Sequence, residues 1–298
     1  MITQLIFYNY FHNGDIFTSR EYVKQIVREL PHILITYQHN NSSKLLQDVC
    51  ASEPITEHLP VSQRYFVKDG AMFINTWIAA YSPAKNPDLP HYYDVGIDYI
   101  SLTKMWGHIF SLINQAFQAN LVIKNPVDYI PSIDYTKFDV SKVDEFVTNH
   151  KNIVMISNGP PMSGQSFEHD MSNEINTFAK IYPDMSFVCT HPIVERNYPN
   201  IFNSGRITQT RHDLMELSYL SRFAKVIIGK NSGPYIYACV KGNVMAEDKV
   251  FLQFNIHERD SLFYSIPYKC SYTFVPRSLW ANTNTFISSS MRKAFNNE

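Results

Sequence analysis

Two short glycine-containing loops, one in each half of the chain, constrain the fold more than any other feature. The first is His-Asn-Gly-Asp at 12–15, after an apolar run, and the second is Gly-Lys-Asn-Ser-Gly-Pro at 229–234, after the apolar run 226–228. An apolar run, a tight turn and a helix start are typical of the edge of an open α/β sheet, where strand C-termini and helix N-termini converge on ligands. The sequence therefore predicts an α/β protein of two Rossmann-like parallel-sheet domains that face each other across a cleft.

Alternating strand and helix patterns in both halves agree with this prediction. The predicted elements used below are strands at 4–10, 32–37, 99–100, 152–156 and 225–228, and helices at 18–30, 102–120 and 213–223. Prolines and a polar stretch mark a boundary, so we expect an acceptor-side domain over 1–135 and a donor domain over 136–298. Whether the last helix packs back on the N-terminal domain is left open.

Composition excludes several classes of protein. Of 298 residues, 45% are hydrophobic and the net charge is -1 without a basic tract, so neither a disordered chain nor a nucleic-acid partner is expected. The four cysteines lack zinc-site spacing, so no metal site is predicted. No apolar run reaches the length of a transmembrane helix, and no leader pattern is seen. We expect a soluble protein of the reducing cytoplasm, with peripheral membrane contact left open.

Two loops of the second half are predicted to hold an anionic ligand. Backbone amides at a helix start favour a phosphate, a glycine lets the ligand approach, and a serine hydroxyl can donate to it. The predicted donor-binding residues are Ser157, Asn158, Gly159, Asn231, Ser232, Gly233 and Pro234. The alternative is that Ser232 only caps the helix and the glycines only form turns. Neither loop has the spacing of a dinucleotide or Walker motif, so no cofactor is predicted.

The loop of the first half carries an acid. Asp15, at a strand end, can act as a general base toward a hydroxyl, or it can be the N-cap of the helix at Thr18. Four neighbours are predicted as acceptor-binding or auxiliary residues: His12, Asn13, Gly14 and Arg20. Arg20, one turn into the helix, is expected either to contact an anionic group or to lie at the surface.

The Gly14-Asp15 pair and the segments 213–217 and 224–234 resemble glycosyltransferases of the GT-B architecture, in particular the ADP-heptose:LPS heptosyltransferase-like group. The resemblance implies that Asp15 is the catalytic base and that the loop ending in Ser232-Gly233-Pro234 holds the diphosphate of a nucleotide-sugar. The chain departs from that group in having Tyr235-Ile236-Tyr237 where a histidine is frequent, and in lacking its usual lysine near 157–163. The donor sugar and nucleotide are therefore left unassigned.

The resulting expectation is an inverting, metal-independent glycosyltransferase. It would move a sugar from a nucleotide-diphosphate donor to a hydroxyl of a glycan or glycolipid, with no cofactor besides the donor, which is a substrate. Two alternatives remain open at this point: a nucleotide-sugar 2-epimerase, which would need extra carboxylates and a histidine in the cleft, and a non-catalytic nucleotide-sugar-binding module.

Overall fold

The structure is a computed structural model that describes residues 2–11, 13–40, 43–78, 80, 99–160, 169–193, 197–210, 213–256, 263 and 266–295. The chain divides into two compact units, one ending at Asp134 and the other starting at Tyr135, with Ile266 grouped with the first. Each unit is built on its own β-sheet.

The first unit is a mixed sheet with helices packed on it. Its elements are β1 (Gln4–Asn9), α1 (Asn13–Glu29), β2 (Leu34–His39), β3 (Ala51–Glu53), β4 (Tyr65–Lys68), β5 (Ala71–Asn75) and α2 (Tyr99–Phe117). The strand order is β3-β2-β1-β5-β4, and only β4 runs antiparallel to its neighbour. The central strand β1 has five buried residues in succession, because both faces of a central parallel strand are covered.

Aromatic packing joins the helices of the first unit. Tyr22 of α1 stacks on Trp106 of α2, with ring centroids 4.9 Å apart, and on Tyr129 at 3.9 Å. All three rings are buried, so this stack fixes α1 on the sheet.

The second unit is a six-stranded, fully parallel sheet. Its elements are α3 (Ser141–Asn149), β6 (Ile153–Ser157), α4 (Ser172–Ile181), β7 (Ser186–Cys189), β8 (Ile201–Asn203), α5 (Leu214–Ser221), β9 (Ala224–Lys230), α6 (Gly233–Ala238), α7 (Lys241–Val244), β10 (Val250–Asn255), β11 (Ser271–Pro276) and α8 (Thr283–Phe295). The order is β11-β10-β9-β6-β7-β8, which, counted from β6 as the first strand, is the 3-2-1-4-5-6 order of Rossmann folds. The order reverses between β6 and β9, where ligands bind in such sheets.

The predicted α/β class with two Rossmann-like sheets is confirmed, two details of the prediction are corrected, and the packing of the last helix, which was left open, is settled. Helix α1 begins at Asn13 rather than at Thr18, so Asp15 lies in its first turn. Residues 99–100 begin α2 instead of forming a strand. The last helix, α8, packs on the sheet of the second unit, where Ile287 and Met291 join the core.

Candidate functional site

Two serine hydroxyls meet at the point where the strand order of the second sheet reverses. Ser157 is the last residue of β6 and lies opposite Gly229 of β9 in the parallel register. Its Oγ is 2.8 Å from the Oγ of Ser232, which follows β9. Ser232 occupies the N-cap position of α6, yet its hydroxyl makes no capping bond there. Ser232 thus lies at the predicted cap position, but its hydroxyl contacts that of Ser157 instead of capping the helix.

Glycine is required at position 229 by the closeness of three elements. A Cβ atom at Gly229 would lie 2.7 Å from the Cβ of Ser157 and 2.9 Å from Cδ2 of Tyr235 in α6. At Gly233, which the sequence had singled out, a Cβ would meet Cδ2 of Leu214 at 3.4 Å, an ordinary contact. The glycine that shapes this site is thus Gly229, and strand pairing, invisible in the sequence, is the reason.

The loop after β6 is tied to the loop after β7. The side chain of Asn158 accepts a hydrogen bond from the backbone N–H of His191 at 2.9 Å and donates one to the carbonyl of His191 at 3.0 Å. Gly159 faces the same residue, with a Cβ position 3.8 Å from that of His191. Asn158 and Gly159 therefore shape this edge of the sheet, while Asn231 is buried beside Ser232 and Pro234 lies in the first turn of α6.

A cavity of about 470 Å³ opens at the same edge of the second sheet, beyond the ends of β7 and β8. Its walls include the apolar side chains of Ile193, Ile201 and Phe202 together with Asn203 and Arg206. The buried Nδ2 of Asn203 has no hydrogen-bond partner within the described part of the chain. A mostly apolar cavity of this size with a few polar groups is typical of a small-molecule site. The sequence missed it because the three-residue strand β8 was not predicted.

In the first sheet, a carboxyl lies at the corresponding edge. Asp15 is 5% exposed, and its Oδ2 is 3.5 Å from Nδ2 of Asn9, the last residue of β1. The same amide nitrogen is 3.4 Å from Oγ1 of Thr76, which in turn lies 2.5 Å from the hydroxyl of Tyr37. These side chains gather where the order of the first sheet changes between β1 and β5.

Burial brings the pKa of the Asp15 carboxyl close to neutral pH. Loss of solvent raises the pKa of its carboxyl from 3.8 to about 7, against the lowering effects of the Asn9 amide and the Arg64 charge. Asp15 is not the N-cap of a helix at Thr18, since α1 begins at Asn13 and Asp15 lies inside its first turn. A buried carboxyl that ionises near pH 7 is suited to general base chemistry.

The auxiliary residues predicted around Asp15 lie in different settings. Arg20 is fully buried and ion-paired with Asp48, and it donates to the carbonyls of Leu45 at 2.8 Å and Ser132 at 3.0 Å. Its guanidinium therefore holds the first unit together, instead of reaching an acceptor anion. Asn13 and Gly14 form the first turn of α1, and His12 lies outside the described residues.

Neither a metal cluster nor a spanning helix is found in what the structure describes. Within those ranges, no three His, Cys, Asp or Glu side chains are grouped to hold a metal ion. Among the described helices, none combines the length and apolarity needed to cross a bilayer.

Comparison with solved structures identifies the fold. A family 9 glycosyl transferase from Veillonella parvula aligns with a TM-score of 0.53 at 9% identity, over 99% of this chain and 95% of that one. The E. coli heptosyltransferase WaaC, solved with ADP-2-deoxy-2-fluoro heptose, aligns with a TM-score of 0.53 at 8% identity, over 96% and 99%. The dodecameric, iron-containing heptosyltransferase TibC, solved with ADP-D-β-D-heptose, aligns with a TM-score of 0.50 at 10% identity, over 99% and 77%.

The structural resemblance drawn from the sequence is thereby confirmed for the fold, which is that of GT-B heptosyltransferases. The sequence itself matches no protein-family profile and no curated protein.

Proposed function

We propose that this chain is a glycosyltransferase that moves a sugar from a nucleotide-diphosphate donor to an acceptor hydroxyl. The observation that carries the proposal is the buried Asp15, whose pKa is raised to about 7 at the switch point of the first sheet. We infer that this carboxyl removes the proton of an acceptor hydroxyl, a step for which a base that ionises near pH 7 is suited.

The donor would bind the second unit. Ser157 and Ser232 place two hydroxyls at the reversal of strand order, where Rossmann sheets hold phosphates. The cavity beside β7 and β8 would then take the nucleoside, because the Asn158–His191 pair joins its rim to the switch point. Asn158, Gly159, Asn231, Gly233 and Pro234 complete the proposed donor loops. WaaC and TibC, which share the fold, were solved with ADP-linked heptoses.

The proposed reaction is a single displacement with inversion. The Asp15 carboxylate accepts the proton of the acceptor hydroxyl, whose oxygen attacks the anomeric carbon of the donor sugar. The bond from that carbon to the diphosphate oxygen breaks, and the nucleoside diphosphate leaves with both electrons. Serine hydroxyls and backbone amides would stabilise the charge on the leaving group, so we propose that no metal takes part.

Turnover of Asp15→Asn tests the proposal. Purified chain would be incubated with ADP-, UDP- and GDP-sugars and a mixture of glycan acceptors, and nucleoside diphosphate release would be measured. The asparagine variant, which cannot accept the proton, should lose about two orders of magnitude in turnover or more. Its affinity for the donor, measured by calorimetry, should be unchanged.

Two other outcomes would replace the proposal. A donor whose sugar is altered without any acceptor would favour the epimerase. Tight nucleotide-sugar binding without conversion of any donor would favour a binding module. Near wild-type turnover by Asp15→Asn would remove Asp15 from the mechanism.

A further inference from the structure

We propose that Phe11 and Trp77 form a binding platform for a sugar ring of the acceptor. This inference rests on the proposed function and narrows it, because it makes the acceptor a carbohydrate with its reacting hydroxyl next to an aromatic contact. The two residues are called the aromatic platform below.

The platform lies at the edge of the first sheet that carries Asp15. Phe11 follows the end of β1 by two residues, and Trp77 follows the end of β5 by two residues. Their ring centroids are 4.3 Å apart, with the planes inclined by 39°. Phe11 is 39% exposed, although a ring of this size is usually covered. Trp77 is partly buried, so the pair is an aromatic patch that is exposed in part, as is typical of ligand-binding surfaces.

Both ring-bearing residues are held by their backbones. The N–H of Phe11 donates to Oδ1 of Asn9 at 2.8 Å, and the N–H of Trp77 donates to Oδ1 of Asn75 at 3.0 Å. The carbonyl of Trp77 also accepts a hydrogen bond from Arg64 at 3.0 Å. The backbone at both positions is therefore fixed and the two rings pack on each other, which reduces the entropy lost when a ligand binds.

Asn9 connects the platform to the carboxyl. Its Oδ1 holds the backbone of Phe11, while its Nδ2 lies 3.5 Å from the carboxylate of Asp15 and 3.4 Å from Thr76, the residue before Trp77. One side chain thus positions the platform, the carboxyl and the loop after β5. The proposed sugar ring on the platform would present a hydroxyl group toward Asp15 through this shared edge.

The chemistry of the platform favours a sugar ring. The face of an aromatic ring is electron-rich, and the C–H bonds on one face of a pyranose are weakly positive and apolar, so the two surfaces attract. An anionic acceptor would instead need cations, and the arginines of this network donate to backbone carbonyls: Arg20 to Leu45 and Ser132, and Arg64 to Asn75, Trp77 and Ile78.

Direct binding of simple glycosides tests the platform without relying on catalysis. A panel of methyl α- and β-glycopyranosides would be titrated against the full chain by saturation-transfer NMR, with glycerol as the polyol control. We expect saturable binding of at least one glycoside and none of glycerol. Phe11→Ala and Trp77→Ala should each weaken that binding about tenfold, since each removes one face of the contact. Tyr65→Ala, which removes an aromatic residue 47% exposed on β4, should leave the affinity unchanged.

The outcomes for the platform and for the proposed function are separable. Unchanged glycoside affinity in both platform variants, with melting temperatures equal to wild type, would overturn the platform, as would a lack of saturable binding by every glycoside. Binding by Asp15→Asn should equal that of wild type, because the contact is made by rings. Glycoside binding without sugar transfer from any donor would keep the platform and remove the proposed function.

Discussion

Asp15 shows how one residue's setting determines its chemistry. Its pKa is raised to about 7 by burial, and a base acts only when ionised. We therefore expect kcat/KM to rise with pH through about 7 and to level off above it. A pH–rate profile of the wild type against Asp15→Asn checks this, since the residual activity of the variant should lack that rise. A wild-type profile that is flat between pH 5 and 8 would contradict the assignment.

The raised pKa of Asp15 also predicts that the free energy of unfolding depends on pH. The pKa of Asp15 is higher in the folded chain than the usual 3.8, so its contribution to stability is fully present below that value and is lost as the pH rises through about 7. Asp15→Asn removes the buried charge. Its melting temperature should therefore rise relative to wild type between pH 5 and pH 8, as thermal unfolding at several pH values would show. A constant difference across that range would mean that the carboxyl does not titrate there.

Asn9 is expected to act as a positioning residue for Asp15. Its amide is 3.5 Å from the carboxylate and lowers the pKa of Asp15, so Asn9→Leu should shift the rising limb of the pH–rate profile upward. A shift of one unit would leave about tenfold less carboxylate at pH values below the pKa. Asn75→Leu is a matched control, because Asn75 closes the same kind of turn after β5 but donates to the carbonyl of Val61. Equal shifts of the pH–rate profile in both variants would indicate that either substitution loosens this edge of the first sheet, without a specific effect of Asn9 on Asp15.

The sequence located several site residues, but it could not predict their surroundings, because these form only when the chain folds. The position of Asp15 after an apolar run was visible, but the burial that raises its pKa comes from the folded chain around it. Arg20 was predicted as a possible anion contact because of its place near the loop, whereas the fold surrounds it with Asp48 and two carbonyls. Ser157 and Ser232 were found separately, and only the pairing of β6 with β9 brings their hydroxyls to 2.8 Å.

At the level of elements, the close packing of β6, β9 and α6 predicts that Gly229 does not tolerate a side chain. Gly229→Ala would place a methyl group 2.7 Å from Ser157 Cβ and 2.9 Å from the Tyr235 ring. Such overpacking should cost about 1–3 kcal/mol and move Ser157 away from Ser232. Nucleotide affinity, measured by calorimetry with ADP, UDP and GDP, should fall together with the melting temperature. Gly233→Ala, which meets Leu214 at an ordinary 3.4 Å, is the matched control for packing, and its melting temperature should stay near that of the wild type.

The contact between the Ser157 and Ser232 hydroxyls allows a second test of the proposed donor site. Ser232→Ala should weaken nucleoside diphosphate binding about tenfold, the effect of losing about one hydrogen bond to a charged group. Ser289→Ala, at an exposed position of α8 in the same unit, should bind as wild type does. Calorimetry on both variants decides the matter, and identical affinities would exclude Ser232 from the donor site.

Long periodic elements could be predicted from the sequence, and short or locally ambiguous ones could not. Helix α1 was found from its apolar spacing, but its start at Asn13 was missed because the glycine at 14 resembles a turn. The aromatic and β-branched side chains at 99–100 predict a strand, although these two residues are the first of helix α2. The three-residue strands β3 and β8 carry too little pattern to be recognised, and β8 bounds the cavity of the second unit.

At the scale of the whole molecule, the nucleoside diphosphate and the glycoside should each protect different segments of the chain from hydrogen exchange. Each unit has its own sheet and its own polar edge, so a nucleoside diphosphate should slow amide hydrogen exchange in segments 157–159, 189–193 and 229–234. A bound glycoside should slow exchange in segments 9–11 and 75–78. Hydrogen-exchange mass spectrometry with each ligand alone checks this. Protection by a nucleotide confined to the first unit would reverse the proposed roles.

Activity is expected to survive chelation. In the part of the chain that the structure describes, no group of His, Cys, Asp or Glu is arranged to hold a metal. The proposed mechanism stabilises the leaving group with serine hydroxyls and backbone amides, so turnover after treatment with EDTA should match the untreated protein. Because TibC is iron-containing, iron should be tested for reconstitution beside magnesium and manganese. Loss of activity that one of these ions restores would contradict the metal-independent mechanism.

The crowding around Gly229 has a consequence for how relatives of this chain diverge. Solved proteins of this fold are only 8–10% identical to this chain, so the fold is compatible with very different sequences. Position 229 cannot accept even a methyl group while β6, β9 and α6 keep their spacing. In any collection of descendants, glycine at the end of this strand should persist where neighbouring residues vary. A glycine four residues before the Gly-Pro pair would then be a more durable marker of ancestry than the residues that contact substrate, which change with the substrate.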